Sequence, residues 1–150
     1  MEASFRLIYL WHDVDVYQLQ VAASNGYFSA SARAYVPVGG LRECAEQLSG
    51  FPRSWQDRRE IEFGNFGREF SGGAARLSFS CYSRAGHPVV EFSIEDEASQ
   101  LKGSAAERSV QSAHFFANVD PASVDLFAAQ LRQLEVEQHG FAELKVHPQG

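Results

Sequence analysis

Alternating apolar and polar residues predict a β-hairpin over residues 14–37, centred on Asn25-Gly26. Asn-Gly suits a two-residue type I′ turn, because both central positions of that turn need a positive φ. The apolar pairs that this turn predicts are Ala23/Phe28, Val21/Ala30, Leu19/Ala32 and Tyr17/Ala34. Polar residues fall on the other face, so the turn chemistry and the alternation indicate the same register.

A second hairpin is predicted from residues 75–84 and 89–95, around Ala85-Gly86. Its predicted apolar pairs are Cys81/Val90, Phe79/Phe92 and Leu77/Ile94, with Arg76 opposite Glu95 on the outer face. As in the first hairpin, the apolar side chains stay together on one face.

Two helices interrupt the strands. The first is short and carries apolar residues at helical spacing, namely Leu41, Cys44, Ala45 and Leu48. The second begins at Asp120-Pro121, with Asp as the N-cap and Pro at the first helical position, and ends near residue 137 or 138. Its apolar stripe consists of Val124, Phe127, Ala128, Leu131 and Leu134.

Residues 4–11, 61–63 and 109–119 complete the predicted strands, and the polar stretch 95–108 is expected to be an exposed loop. Residues 141–146 are either a final strand or a frayed end. The chain is thus predicted to be one domain, 1–150, with an ordered core at about 4–138. The fold class is α+β: a mostly antiparallel meander or sandwich of about seven strands, with one short inserted helix and one C-terminal helix.

Charge narrows the classes of partner. Thirteen basic and nineteen acidic residues give a net charge of −6, which disfavours nucleic acid, since affinity for phosphates needs clustered Lys and Arg. The charge suits a basic protein partner, or it serves solubility alone. The chain shows neither an apolar run long enough for a membrane span nor a signal-peptide pattern, so we expect a cytoplasmic protein.

Candidate catalytic and metal-binding residues do not combine into a motif. The segment His12-Asp13-Val14-Asp15 lacks the remaining ligands of a calcium loop and is typical of a solvated turn. A nucleophile built from Cys81 with His87 or His114 is disfavoured, because Cys81 is predicted to lie on the apolar face of its hairpin. We therefore expect a non-enzymatic protein with no catalytic residues, no metal site and no cofactor.

Seven residues are candidates for binding a partner. They are Tyr27, Arg33, Tyr35 and Tyr82 on the outer faces of the hairpins, and the acidic run Glu95, Asp96 and Glu97. Aromatic residues and Arg on a strand surface are typical anchors of an interface, although a helix covering that face would explain them equally well. The acidic run either meets a basic partner or is simply solvated.

A family resemblance adds a functional expectation. The segment Leu41–Asp96 contains a short helix Leu-x-x-Cys-x-x-x-Leu, then Gly-Phe-Pro, Glu62-Phe63-Gly64, Leu-Ser-Phe-Ser-Cys at Leu77–Cys81, and Gly86-His87 before Val-x-Phe-x-Ile. Together with the first hairpin and the Asp-Pro helix, this pattern resembles the WapI-type bacterial immunity proteins over about residues 14–137. The resemblance implies binding and neutralisation of a toxin domain, such as a basic nuclease, and it brings no active-site residues with it.

Two other functions stay open. One is a β-sandwich that binds a small ligand or carbohydrate, for which we expect a deep pocket lined by Tyr27, Tyr35, Tyr82 and Trp55. The other is a hydrolase, for which we expect a cluster of His with carboxylates. A protein partner instead predicts a flat patch of aromatic residues rimmed by Glu and Asp. The oligomeric state and the binding face are left undecided by the sequence.

Overall fold

The computed structural model describes residues 2–67, 72–97 and 110–148. Its eight strands form two four-stranded antiparallel sheets. Sheet A has the order β3-β2-β1-β8 and sheet B the order β4-β5-β6-β7. The elements are β1 (Ser4–His12), β2 (Val16–Ser24), β3 (Ser29–Pro37), α1 (Gly40–Leu48), β4 (Arg59–Gly64), β5 (Ala74–Cys81), β6 (Pro88–Glu97), β7 (Val110–Asn118), α2 (Pro121–Glu137) and β8 (Phe141–Lys145). The predicted α+β class, with two antiparallel sheets and two helices, is confirmed.

One continuous core lies between the sheets and the helices. Phe5 of β1 is fully buried and stacks on Phe63 of β4 and Phe92 of β6, with ring centroids 6.0 and 5.7 Å apart. Its edge meets Phe127 of α2 at 6.0 Å. A single aromatic residue therefore joins both sheets and the long helix, and such ring pairs add specific geometry to the burial of apolar area.

The helices form where the sequence predicts them. In α1 the four residues of the predicted stripe are buried, and in α2 all five are. Asp120 is the N-cap of α2 and Pro121 follows it, as expected. In the described residues, neither helix is both long and apolar enough to cross a membrane.

The predicted registers of both hairpins are wrong by two residues. In the first, Gly26 (φ 91°) and Tyr27 form the turn, and Val21 pairs with Ala32 and Leu19 with Ala34. The Asn25 amide donates to the Phe28 carbonyl at 3.1 Å, and Asn25 Oδ1 accepts the Tyr27 and Phe28 amides at 2.9 and 2.8 Å. Asn25 thus closes the turn although it precedes the two turn residues. The buried and exposed faces are unchanged, because a two-residue slip preserves side-chain alternation.

The second hairpin has a longer loop than the one predicted. The Tyr82 amide donates to the His87 carbonyl at 3.1 Å and the Gly86 amide to Ser83 at 3.0 Å, so the pairs become Phe79/Val90 and Leu77/Phe92. Arg76 consequently lies opposite Ser93 rather than Glu95.

Two segment boundaries also differ from expectation. The acidic run 95–97 belongs to β6 and pairs with β7, instead of opening a loop; the rest of the predicted loop, 98–108, lies outside the described residues. Residues 141–145 are a strand, which pairs with β1 and buries Ala142 and Leu144. This eighth strand places β1 in the interior of sheet A and extends the core beyond residue 138.

Candidate functional site

Five of the seven candidate partner-binding residues meet at one place, which we call the seam. Here β3, the edge strand of sheet A, lies beside the start of β5. Ala34 forms a parallel bridge with Gly73, and the Gly73 amide donates to the Arg33 carbonyl at 2.5 Å. The end of β6, with the acidic run 95–97, faces the same strand. The seam therefore joins the two sheets through backbone groups.

The acidic run holds the seam together. Glu95 Oε1 accepts the Gly67 amide at 2.7 Å, and Glu97 Oε1 accepts the Gly72 amide at 3.1 Å. Asp96 Oδ2 accepts the Arg33 amide at 3.4 Å. Carboxylates bound to backbone N–H groups stabilise these otherwise irregular segments. These hydrogen bonds within the fold therefore account for part of the acidic run, which the sequence assigned either to a partner or to solvent.

Tyr35 lies on the outer face of sheet A and is half-buried. Gln18 Nε2 donates to its hydroxyl at 3.2 Å, and the Trp11 ring lies edge-on at 6.3 Å. A Cβ on Gly72 would approach the Tyr35 ring at 2.8 Å, so the glycine is needed for this close approach. Arg33, on the same face, is exposed, and no covering helix is needed to explain it.

The remaining candidate aromatic residues lie elsewhere. Tyr27 is 71% exposed at the tip of the β2–β3 hairpin, and Tyr82 is 64% exposed beyond the end of β5. Tyr35 contacts Gly72, before β5 begins, so the eight-residue strand separates Tyr35 from Tyr82 by roughly 25 Å. Trp55 lines a depression with Ser80 and Cys81 at the Tyr82 end of β5. These four aromatic residues therefore cannot line a common ligand pocket.

The most charged surface of the sheets, which we call the acidic face, joins two glutamates of the acidic run 95–97 with three that the sequence did not single out as binding candidates. It is the outer face of sheet B, and its charged strand residues are Glu60, Glu62, Glu91, Glu95 and Glu97, with Arg76 and His114 among them. Cross-strand pairing sets Glu62, Arg76, Ser93 and His114 in one row and Glu60, Ser78, Glu91 and Phe116 in the next. The signal was the alternation of Glu with buried residues along β4 and β6.

Arg76 and His114 lie among the carboxylates of the acidic face. Arg76 Nε lies 2.7 Å from Glu62 Oε1 and 3.6 Å from Glu60 Oε1, and this bond to Glu62 raises the pKa of the guanidinium further. His114 Nε2 lies 3.0 Å from Glu91 Oε1. Phe116, 38% exposed, sits edge-on to His114 at 5.0 Å. The face combines fixed carboxylates with one exposed aromatic ring.

Titratable groups outside this face are held in local contacts. In the part of the chain that the structure describes, no three His, Cys, Asp or Glu side chains are placed to hold a metal ion. Asp13 Oδ1 accepts the Asp15 and Val16 amides at 2.8 and 2.9 Å, which lowers the pKa of Asp13 and explains the His12–Asp15 segment as a turn. His147 Nε2 pairs with Asp120 Oδ2 at 2.9 Å.

Both cysteines are free and protonated at neutral pH. Burial raises the pKa of Cys44 to about 11, and the Cys44 thiol donates to the Glu62 carbonyl at 3.5 Å. Burial also raises the pKa of Cys81, which is half-buried opposite Pro88 rather than Val90. A thiol becomes a nucleophile only as the thiolate, so these environments make both groups unreactive.

Comparisons of the chain with protein-family models, with curated proteins and with solved structures found no match. Function is therefore inferred from the surfaces of the molecule itself.

Proposed function

We propose that this chain is a non-enzymatic, immunity-type protein of the bacterial cytoplasm, which binds a basic toxin domain through its acidic face and neutralises it. The observation that carries the proposal is the charge of that face, where five glutamates accompany one arginine on the outer surface of a single sheet. A basic nuclease has the complementary charge, and complementary charge speeds association.

The arrangement of the face supports binding rather than solubility alone. The register places no two of these glutamates directly opposite each other, since Glu62 lies opposite Arg76 and Ser78 lies between Glu60 and Glu91. Arg76 and His114 hold the carboxylates of Glu62 and Glu91 in place, which lowers the entropy lost on binding. Phe116 borders a depression of about 300 Å³ and offers an apolar anchor beside charged side chains of both signs, which are Glu60, Glu91, Arg58 and Arg59.

The test is calorimetric titration of the protein with the purified product of the neighbouring gene, alongside rescue of cells that express that product. We expect one-to-one binding. The double variant Glu60→Gln/Glu91→Gln should bind at least about tenfold more weakly at low salt, mainly through slower association. The control Asp125→Asn/Glu137→Gln, which removes equal charge from the exposed side of α2, should bind within about twofold of wild type.

Absence of binding and of rescue would contradict the immunity function. Binding that the double variant leaves unchanged would assign the interaction to another surface.

A second candidate function is binding of a small polar ligand on sheet A. Its outer face has a depression of about 510 Å³, lined largely by serine and alanine side chains next to the ion pair of Arg6 with Glu143. Serine hydroxyls and a fixed ion pair suit a polar ligand such as a sugar. This function is tested by screening sugars for a rise in the melting temperature of the wild type and of the Ser31→Val variant. A rise that the variant retains would contradict binding in this depression.

A further inference from the structure

The loops at one end of sheet B form a surface of opposite charge, which we call the basic end. Its exposed residues are Arg53, Trp55 and Arg58 from the α1–β4 connection, and Tyr82 and Arg84 from the β5–β6 loop. Asp57 is the only acidic residue in the segments 51–59 and 82–87. In a chain with a net charge of −6, this concentration of arginine around exposed aromatic rings is unusual.

Hydrogen bonds fix the loop that carries Trp55. Asp57 accepts the Arg53 amide at 2.9 Å and receives both Nε and Nη2 of Arg59, at 2.8 and 2.9 Å. Arg59 Nη1 also donates to the Gln47 and Ser49 carbonyls at 2.8 and 3.0 Å. The bond from Arg59 lowers the pKa of Asp57, and its negative charge is satisfied inside the loop. The charges left facing solvent are those of the other arginines.

Trp55 is held where it adds little to the core. Its side chain is 42% exposed, and the Arg84 guanidinium lies 5.5 Å from its ring centroid. Trp55 and Cys81 line a depression of about 280 Å³. The residue after Cys81 is Tyr82, whose ring stacks on His87 with centroids 5.5 Å apart and ring planes 18° apart. Two aromatic platforms are therefore presented in a rigid frame with arginines beside them, and exposed Trp, Tyr and Arg are the residues that dominate binding energy at interfaces.

We propose that the basic end docks an acidic peptide segment of a partner protein, whose carboxylates pair with Arg53, Arg58 and Arg84 and whose apolar side chain packs on Trp55. The planar guanidinium matches a carboxylate with two parallel hydrogen bonds. A long nucleic acid fits less well, since Arg58 and Glu60 border the same depression on sheet B and the glutamates beyond it repel phosphates. Arg53 and Arg84 do not line that depression, so their variants test the basic end separately from the acidic face.

Trp55 itself provides the measurement. The chain has two tryptophans and five tyrosines, so the Trp11→Phe variant leaves Trp55 as the only tryptophan, and its fluorescence is excited at a wavelength that tyrosine does not absorb. This variant is titrated with an acidic hexapeptide of five glutamates and one phenylalanine. We expect saturable quenching or a blue shift, with affinity at least about tenfold weaker when NaCl rises from about 50 to about 500 mM. The same peptide with lysine in place of glutamate, and a thymidine hexanucleotide, are the comparison ligands.

Each of the changes Arg53→Gln, Arg58→Gln and Arg84→Gln should weaken binding of the acidic peptide by about three- to tenfold. Arg132→Gln, on the exposed side of α2, is the matched control and should change it less than about twofold. Equal binding of the lysine peptide, no response of Trp55, or variants that bind like wild type would overturn the proposal. Tighter binding of the oligonucleotide would assign the basic end to nucleic acid and overturn it as well.

Discussion

The outer faces of the two sheets differ in chemistry although both sheets cover the same core. On sheet A, side chains satisfy one another across strands: Gln20 Nε2 donates to Ser31 Oγ at 2.5 Å, and Arg6 Nε pairs with Glu143 at 2.8 Å. On sheet B, glutamates gather around Arg76 with too few cations to balance them. The charged strand residues of the sheet A face are Arg6, Arg33, Lys145 and Glu143.

This difference shows that the inward and outward residues of a strand are subject to different constraints. Burial constrains the inward residues of both sheets alike, whereas the outward residues are free to differ. Because only the outer face of sheet B carries an excess of glutamate, we propose that this face serves partner binding.

The seam, where the two sheets join, should give the largest effect. Gly64 has φ 84°, and a Cβ there would overlap the Gly73 carbonyl and lie 3.1 Å from the Ala34 Cβ. Gly64→Ala should therefore cost about 3 kcal/mol or more in the free energy of unfolding, measured in urea. Gly86 has a similar φ, 79°, with no atom within 4 Å of a Cβ, so Gly86→Ala should cost only about 1 kcal/mol. Equal losses would show that the close approach at the seam is unimportant.

An edge strand of each sheet forms a hydrogen bond with a helix side chain, and only one of these two side chains is titratable. At β8 of sheet A, Gln130 Oε1 accepts the Glu143 amide at 2.7 Å, whereas at β4 of sheet B the Cys44 thiol donates to the Glu62 carbonyl. The folded chain keeps Cys44 protonated up to about pH 11, while the unfolded chain releases the proton near the ordinary pKa of 9.0. Stability should therefore fall as the pH rises from about 9 to about 11, by about 2 kcal/mol from this group.

Urea unfolding across that pH range, in wild type and in Cys44→Ser, measures the contribution of the thiol. The difference between the two proteins isolates Cys44 from Tyr9 and Tyr17, whose pKa values burial also raises. A parallel pH dependence of the two proteins would contradict the prediction.

The smallest effects compare the faces directly. Arg76→Gln removes the central cation of the acidic face and should cost about 1 kcal/mol, with stability recovering as NaCl is added because salt screens the repulsion. Arg6→Gln removes an ion pair of nearly the same length and exposure on sheet A, 2.8 Å and 41%, and should cost about 0.5 kcal/mol with little recovery. If added NaCl restored the stability of both variants equally, the predicted electrostatic difference between the two faces would be wrong.

The candidate surfaces could be predicted only in part. Alternation along the strands placed Arg33, Tyr35 and Tyr82 outside the core, and the structure confirms that they are exposed or half-buried. The alternation could not reveal that Glu95 and Glu97 bind the amides of Gly67 and Gly72, because these glycines are more than twenty residues away in the chain. Nor could it show that the Arg84 guanidinium lies over the Trp55 ring, since a separate hairpin brings Arg84 there.

The local sequence determined which side chains face inward, where both helices lie and how α2 begins. The first two features depend on the side-chain period, and the third on the fixed φ of Pro121 in the first turn. Tertiary structure decided the strand register and the joining of the sheets. Asn25 shows the reason: its Nδ2 donates to the carbonyl of Phe116 at 2.8 Å, across 91 residues, while its Oδ1 closes the turn. A side chain committed to a distant strand shifts the turn by one residue and the pairing by two, and a two-residue shift leaves no trace in the alternation of apolar and polar residues.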